Sequence, residues 1–173
     1  MSEIDTATWE QARRTVAAAM RSSLACTIAS VDADGRPHAT PIGSVTLLPE
    51  PGRAVYFDVF NARLARNIEH DPRVCILAVD ARKRVWLGAL VRGRFTEPPG
   101  LQFDAVVGPR RPITDVELDR FHRGVGPLLR TRGGRAVWSD VRFARDVTIE
   151  SVRPLRLGAL TRAERAPAPT PAR

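Results

Sequence analysis

The chain has 173 residues, 43% of them hydrophobic and 27% charged, and carries a formal charge of +8. A chain of that length buries about 70% of the surface it exposes when unfolded, enough for one self-supporting domain. No apolar run approaches the roughly 20 residues that cross a bilayer, and Met1 to Asp5 lacks the basic and apolar regions of a secretory leader, so a cytoplasmic protein is expected.

The basic charge raises the question of nucleic acid. All basic residues but Lys83 are arginine, and they are scattered. Arg82-Lys83-Arg84 and Arg110-Arg111 are the basic clusters, and neither sits on a recognition-helix pattern, so nucleic-acid binding is not expected. Cys26 and Cys75 each lie in an apolar strand-like run, as small core residues do. His38, His70 and His122 do not pair at metal-ligand spacing, so no metal site is expected.

An opening helix presents Trp9, Ala12, Val16, Ala19 and Met20 on one face, with Thr6 or Thr8 as its cap. A strand from Leu24 breaks at Asp32-Ala33-Asp34-Gly35-Arg36-Pro37, a hairpin turn because Asp-Gly tolerates positive φ. The returning strand covers His38 to Leu48 and ends in the turn Pro49 to Arg53. A third strand, Ala54 to Val59, leads into a short helix over 61–70 that Asn61 caps and Pro72 stops. This helix starts beside a strand end with Arg63 and Arg66 in its first two turns, which is the make-up of an anion site.

Val74 to Val79 reads as a buried strand, and Val85 to Thr96 as a long strand interrupted by Gly88 and Gly93. Pro98 to Pro112 is dense in proline and glycine and reads as a loop bordering a pocket. Thr114 and Glu117 form a capping signature for a helix that Gly124, Gly126 and Pro127 shorten or kink. A turn at Arg132 to Arg135 precedes two further strand-like runs, Ala136 to Phe143 and Val147 to Leu157. The expected fold is mainly β with flanking helices, a six-stranded antiparallel split β-barrel. It forms a single domain over 1–160, followed by a disordered proline-alanine tail over 161–173.

The order of these elements resembles the flavin-binding split-barrel superfamily, the pyridoxamine 5'-phosphate oxidase-like proteins. The resemblance rests on Asp34-Gly35-Arg36-Pro37-His38-Ala39-Thr40-Pro41, on Tyr56-Phe57-Asp58 with Arg63 to Val74, and on Leu90 to Phe95, and covers about residues 20 to 155. It implies a homodimer with flavin mononucleotide (FMN) at the subunit interface. It matches Arg63 and Arg66 to phosphate contacts, Thr40-Pro41-Ile42 to the strand flanking the flavin ring, and Phe57-Asp58 to ribityl contacts. Trp86 and Trp138 become candidates to reach the partner's site.

Two positions depart from the pattern. Leu64 stands where many relatives have lysine, and Asp58 where serine or threonine is commoner, a carboxylate that repels phosphate unless Arg63 neutralises it. The arginine- and tryptophan-rich terminal segment of true pyridoxamine phosphate oxidases has no counterpart, so that substrate is not expected. On residue chemistry alone Arg63 and Arg66 read as a solvated helix face, Trp86 as core and His38 as a plain strand residue.

No nucleophile–base pair emerges from spacing, so the cofactor would carry the chemistry. The implied activity is hydride transfer between a reduced donor and a small-molecule substrate, with catalytic residues unassigned. Alternatives within the superfamily are a deazaflavin-dependent reductase and a non-catalytic flavin- or haem-binding protein. Arg110 and Arg111 mark the expected 98–112 loop as a substrate gate with an anionic preference.

Overall fold

The computed structural model describes residues 4–59, 61–138 and 141–161. Helix α1 (Thr6–Ser23) is followed by strands β1 (Cys26–Val31), β2 (Pro37–Ile42), β3 (Thr46–Leu47) and β4 (Arg53–Phe57). Then come α2 (Ala62–His70), β5 (Arg73–Val79), α3 (Lys83–Arg92), β6 (Gly100–Pro112), α4 (Asp115–Leu129), α5 (Arg132–Trp138) and β7 (Phe143–Pro154), with a short 3-10 helix at Gly158–Thr161. Beyond Thr161 the expected tail lies outside the described residues. No described helix is long and apolar enough to cross a membrane.

The strands form one antiparallel sheet in the order β2-β1-β5-β6-β7-β4-β3. This corrects the six-stranded barrel: there are seven described strands, and hydrogen bonds do not close the sheet. The run from His38 to Leu48 is two strands rather than one, because it breaks at Gly43. The resulting β2 and β3 are the two edges of the sheet, yet only Gly43, Ser44 and Val45 join them. That link spans at most about 14 Å. The sheet must therefore curl until its edges nearly meet, leaving a split at these three residues.

Inside the curl, alternate residues of each strand face α1. Trp9, Ala12, Val16 and Ala19 on α1 pack with Ile28, Tyr56, Ile76, Phe103 and Val147 in the main core. Trp9 is fully buried and its indole Nε1 donates to the Leu48 carbonyl at 2.8 Å, anchoring the helix beside β3. The helix is capped by Asp5, whose carboxylate accepts the Thr8 N–H at 2.9 Å, rather than by Thr6 or Thr8. A second, smaller core of Val55, Phe57, Phe121, Val141 and Ala144 lies on the other side of β4, beneath α4.

Four further expected elements differ. Residues 85–96 are mostly the helix α3, because β5 already pairs with β1 on one side and β6 on the other and offers no edge to a further strand. Residues 98–112 are mostly the 13-residue strand β6 rather than a loop. Leu101, Phe103, Ala105 and Val107 alternate into the core, and an irregularity between Val107 and Arg110 takes Pro109 out of the regular ladder. The expected turn at 132–135 and strand from 136 are instead α5, and the last strand starts at Phe143.

Candidate functional site

The split in the sheet opens into a cleft of about 480 Å3, within the range of small-molecule sites. One wall is α1, through Val16, Ala17, Met20 and the following Leu24. The floor is Gly43 to Leu47, with Val55 and Phe57 of β4 beside it, and Phe121 of α4 forms the far wall. Arg13, Arg21 and Arg120 complete the lining with a single acid, Glu117. The cleft is thus apolar inside and basic at its edge. Gly43 is required here by close packing, since a Cβ on it would stand 3.0 Å from the Leu24 carbonyl oxygen.

Ser44 ties the floor to β4. Its Oγ accepts the Phe57 N–H at 3.0 Å and lies 3.3 Å from the Phe57 carbonyl oxygen, to which it donates. Phe57 packs edge-on against Phe121, with ring centroids 4.9 Å apart. The α4 wall is held by Arg111, whose Nη2 lies 2.6 Å from Glu117 and 2.7 Å from Asp146 of β7. Glu117 also accepts the Thr114 N–H and hydroxyl, each at 2.9 Å, while the Glu117 N–H donates to Thr114 Oγ1, completing the capping box. Hydrogen bonding from Arg111 holds the Glu117 carboxyl at about 2 and lowers that of Asp146.

Asp58 lies at the end of β4 and is buried. Its neutralising partner is Arg145 rather than Arg63: Arg145 is 2% exposed, and its Nε donates to Asp58 Oδ2 at 2.9 Å. Arg110 adds a longer pair to the same oxygen at 3.6 Å. Arg145 also reaches the Gly108 carbonyl at 3.4 Å and Glu69 of α2 at 3.5 Å, so it joins β7, β4, β6 and α2. The nearby Tyr56 hydroxyl is buried without a hydrogen-bond partner, and burial raises its pKa.

At the start of α2, Arg63 and Arg66 are exposed and the first turn holds no acid. Asn61 occupies the cap position without a side-chain hydrogen bond. Arg63 stands 4.0 Å from Asp32, which also holds His38 at 3.1 Å. Leu64 is buried in the main core. Thr40 and Ile42 face inward on β2 opposite Ile28 and Cys26, with Pro41 exposed between them. Among the ring and ribityl candidates Phe57 lines the cleft, while Thr40, Pro41 and Ile42 lead up to its floor.

Trp86 does not lie on a strand. It is half-buried on α3, its Nε1 donates to the Asp80 carbonyl at 2.7 Å, and its ring packs on Phe95. The side chain of Trp138 lies outside the described residues. Arg110 and Arg111 belong to β6 rather than to a gating loop. The Arg110 guanidinium lies 3.8 Å from the centroid of the Phe143 ring, and Arg111 is committed to Glu117 and Asp146. Sequence reasoning missed the cleft floor, although a Gly-Ser pair inside a strand-like run was its signal. It had no signal for Arg145, an arginine at a core position of an alternating strand.

The sequence model described as Pyridoxamine 5'-phosphate oxidase matches residues 12–125. No curated protein matches the chain. Among solved structures, an FMN-binding protein from Syntrophomonas wolfei is similar with a TM-score of 0.60 at 11% identity, covering 86% of each chain. HupZ from Group A Streptococcus is similar with a TM-score of 0.54 at 16% identity, covering 88% of this chain and 97% of that one. The haem storage protein HutZ from Vibrio cholerae is similar with a TM-score of 0.52 at 17% identity, covering 83% and 94%. These identities speak to the shared fold. With the family match spanning most of the curled sheet and both sides of its split, the chain belongs to the pyridoxamine 5'-phosphate oxidase family of flavin-binding split-barrel proteins.

Proposed function

We propose that this protein is an FMN-binding oxidoreductase in which the flavin ring enters the cleft at the split of the sheet. The observation that carries this reading is the cleft itself: an apolar slot floored by Gly43 to Leu47, flanked by Phe57 and edged by arginines, in a member of this family. The residues fit the group. A flat ring meets aliphatic and aromatic walls, and Gly43, lacking a Cβ, lets the floor pack against the Leu24 carbonyl beside α1. The start of α2 suits the phosphate, with exposed Arg63 and Arg66, an acid-free first turn and uncapped backbone N–H groups.

Bound FMN supplies hydride transfer between a reduced donor and a small substrate. The chain's own residues bind, orient and exclude water. Ser44 fixes the floor against Phe57, and the Arg111 bridge holds the α4 wall in place. The FMN-binding neighbour supports flavin over the haem of the HutZ neighbour, because among the described residues that line the cleft none is a histidine, cysteine or tyrosine, and the Met20 thioether alone is of a kind that ligates haem iron.

The working unit in this reading is a homodimer. The outward row of Thr27, Ala29, Cys75 and Leu77 is half-buried and uncharged, with Arg73 and Asp104 at its margin beside Val106 and Cys75, a face that suits a second copy. The absorption spectrum of the purified protein, before and after added FMN, tests the cofactor. An oxidised-flavin spectrum is expected; a deazaflavin or haem spectrum, or a colourless protein that takes up no FMN, overturns the reading.

A further inference from the structure

Helix α3 is built inside out. Its inner face is fixed: Ala89 is fully buried, Trp86 donates to the Asp80 carbonyl and packs at 84° on Phe95, and the Phe95 N–H donates to Leu160 at 2.9 Å. The preceding turn is held by the Arg82–Asp80 pair and by the Ala81 N–H, which donates to Ser22 Oγ of α1. The outer face carries Leu87, Leu90 and Val91, which are 61%, 64% and 89% exposed. These three are neighbours on one side of the helix by the i, i+3 and i, i+4 rule. They are held out into solvent by a helix that is otherwise well anchored.

The charge along α3 itself has one sign. Lys83 and Arg84 stand on the exposed side at the start of the helix and Arg92 at its end, and no acidic residue occurs from Ala81 to Thr96. We infer that α3 docks on an anionic lipid surface, its aliphatic ridge entering the headgroup boundary and its basic residues meeting the lipid phosphates. Apolar residues centred between basic ones are the pattern of a helix lying in the membrane plane, which needs no spanning length. A two-fold contact of α3 with itself fits less well, since a parallel pair would set Lys83 and Arg84 against their own copies and an antiparallel pair would bring them towards the Arg92 end of the other helix. Nucleic acid would meet the charges but leave the leucines without a role.

Flotation of the full chain with vesicles tests this. Binding is expected to vesicles of equal parts phosphatidylcholine and phosphatidylglycerol, and not to phosphatidylcholine alone. Each basic residue near such a surface strengthens attachment about fivefold, so Lys83→Gln with Arg84→Gln should weaken it about thirtyfold. Leu87→Ser with Val91→Ser should weaken it at least as much, with an unchanged circular dichroism spectrum. Absence of binding by the wild-type chain overturns the proposal. So does undiminished binding by the Leu87 and Val91 variant, which would mean adsorption through the overall positive charge. A variant that changes the sedimentation coefficient and not vesicle binding assigns the ridge to a second copy and likewise overturns it.

Discussion

Ser44 and Phe57, thirteen residues apart, are joined by two hydrogen bonds through one hydroxyl, and this pair carries the β3–β4 pairing on into the floor of the cleft. The Phe57 N–H has no ladder partner on that side, because β3 begins only at Thr46. Ser44→Ala leaves that donor unsatisfied, at a cost of about 1–3 kcal/mol. Thermal melting should show a midpoint several degrees lower, and FMN affinity should fall with it. An unchanged melting curve would mean that water replaces the hydroxyl and that the floor does not depend on it.

The Arg111 bridge makes the α4 wall sensitive to acid. The folded pKa of Glu117 is about 2 against an ordinary value of 4.5, a depressed carboxyl. Its stabilising contribution is therefore fully present above about pH 4.5 and is lost as the pH falls towards 2. Asp146 shifts in the same direction for the same reason. Arg111→Met should lower stability at pH 7 by about 2 kcal/mol and flatten the acid limb of the melting profile. A variant that keeps the wild-type acid limb would remove Arg111 from this role.

The buried Asp58–Arg145 pair should behave asymmetrically. Arg145→Met leaves Asp58 buried with only the more distant Arg110, and loss of one partner of a buried pair costs about 3–5 kcal/mol. The double variant Asp58→Leu with Arg145→Met removes both charges and should recover much of that loss in urea unfolding. A double variant no more stable than the single one would show that Arg145 matters chiefly through Gly108 and Glu69.

The phosphate assignment predicts a difference between two ligands. Arg63→Ala should weaken FMN binding about tenfold to a hundredfold while leaving riboflavin nearly unaffected, because a charge-assisted contact is worth about 1.5–3 kcal/mol. Equal losses for both ligands in a fluorescence titration would mean that Arg63 serves the Asp32 hairpin instead.

Much of this was legible in residue order, and the failures share a cause. The α1 face, the Asp-Gly hairpin with Gly35 at φ +78° and the helix at Ala62–His70 are local patterns that the fold keeps. Residues 85–96 read as a strand because they are mostly apolar and their two glycines read as bends; only the sheet order, with no free edge on β5, decides for a helix. Residues 98–112 looked like a loop because Pro109 and Pro112 outweighed the alternation of Leu101, Phe103, Ala105 and Val107. The same holds for the site. Phe57 was named from its motif, whereas Arg13, Phe121 and Glu117 reach the cleft only when α1 and α4 meet across the split.

The central claim is that the cleft at the split takes the flavin ring, and a direct test is an FMN titration of the wild-type chain beside Thr46→Trp, followed by quenching of flavin fluorescence. Thr46 is half-buried on the floor, and an indole there fills the slot without touching the main core. Saturable binding by the wild type that is lost in the variant, with both proteins folded and of equal sedimentation coefficient, is the result this account predicts. Equal FMN affinity in both proteins would place the ring elsewhere and contradict it.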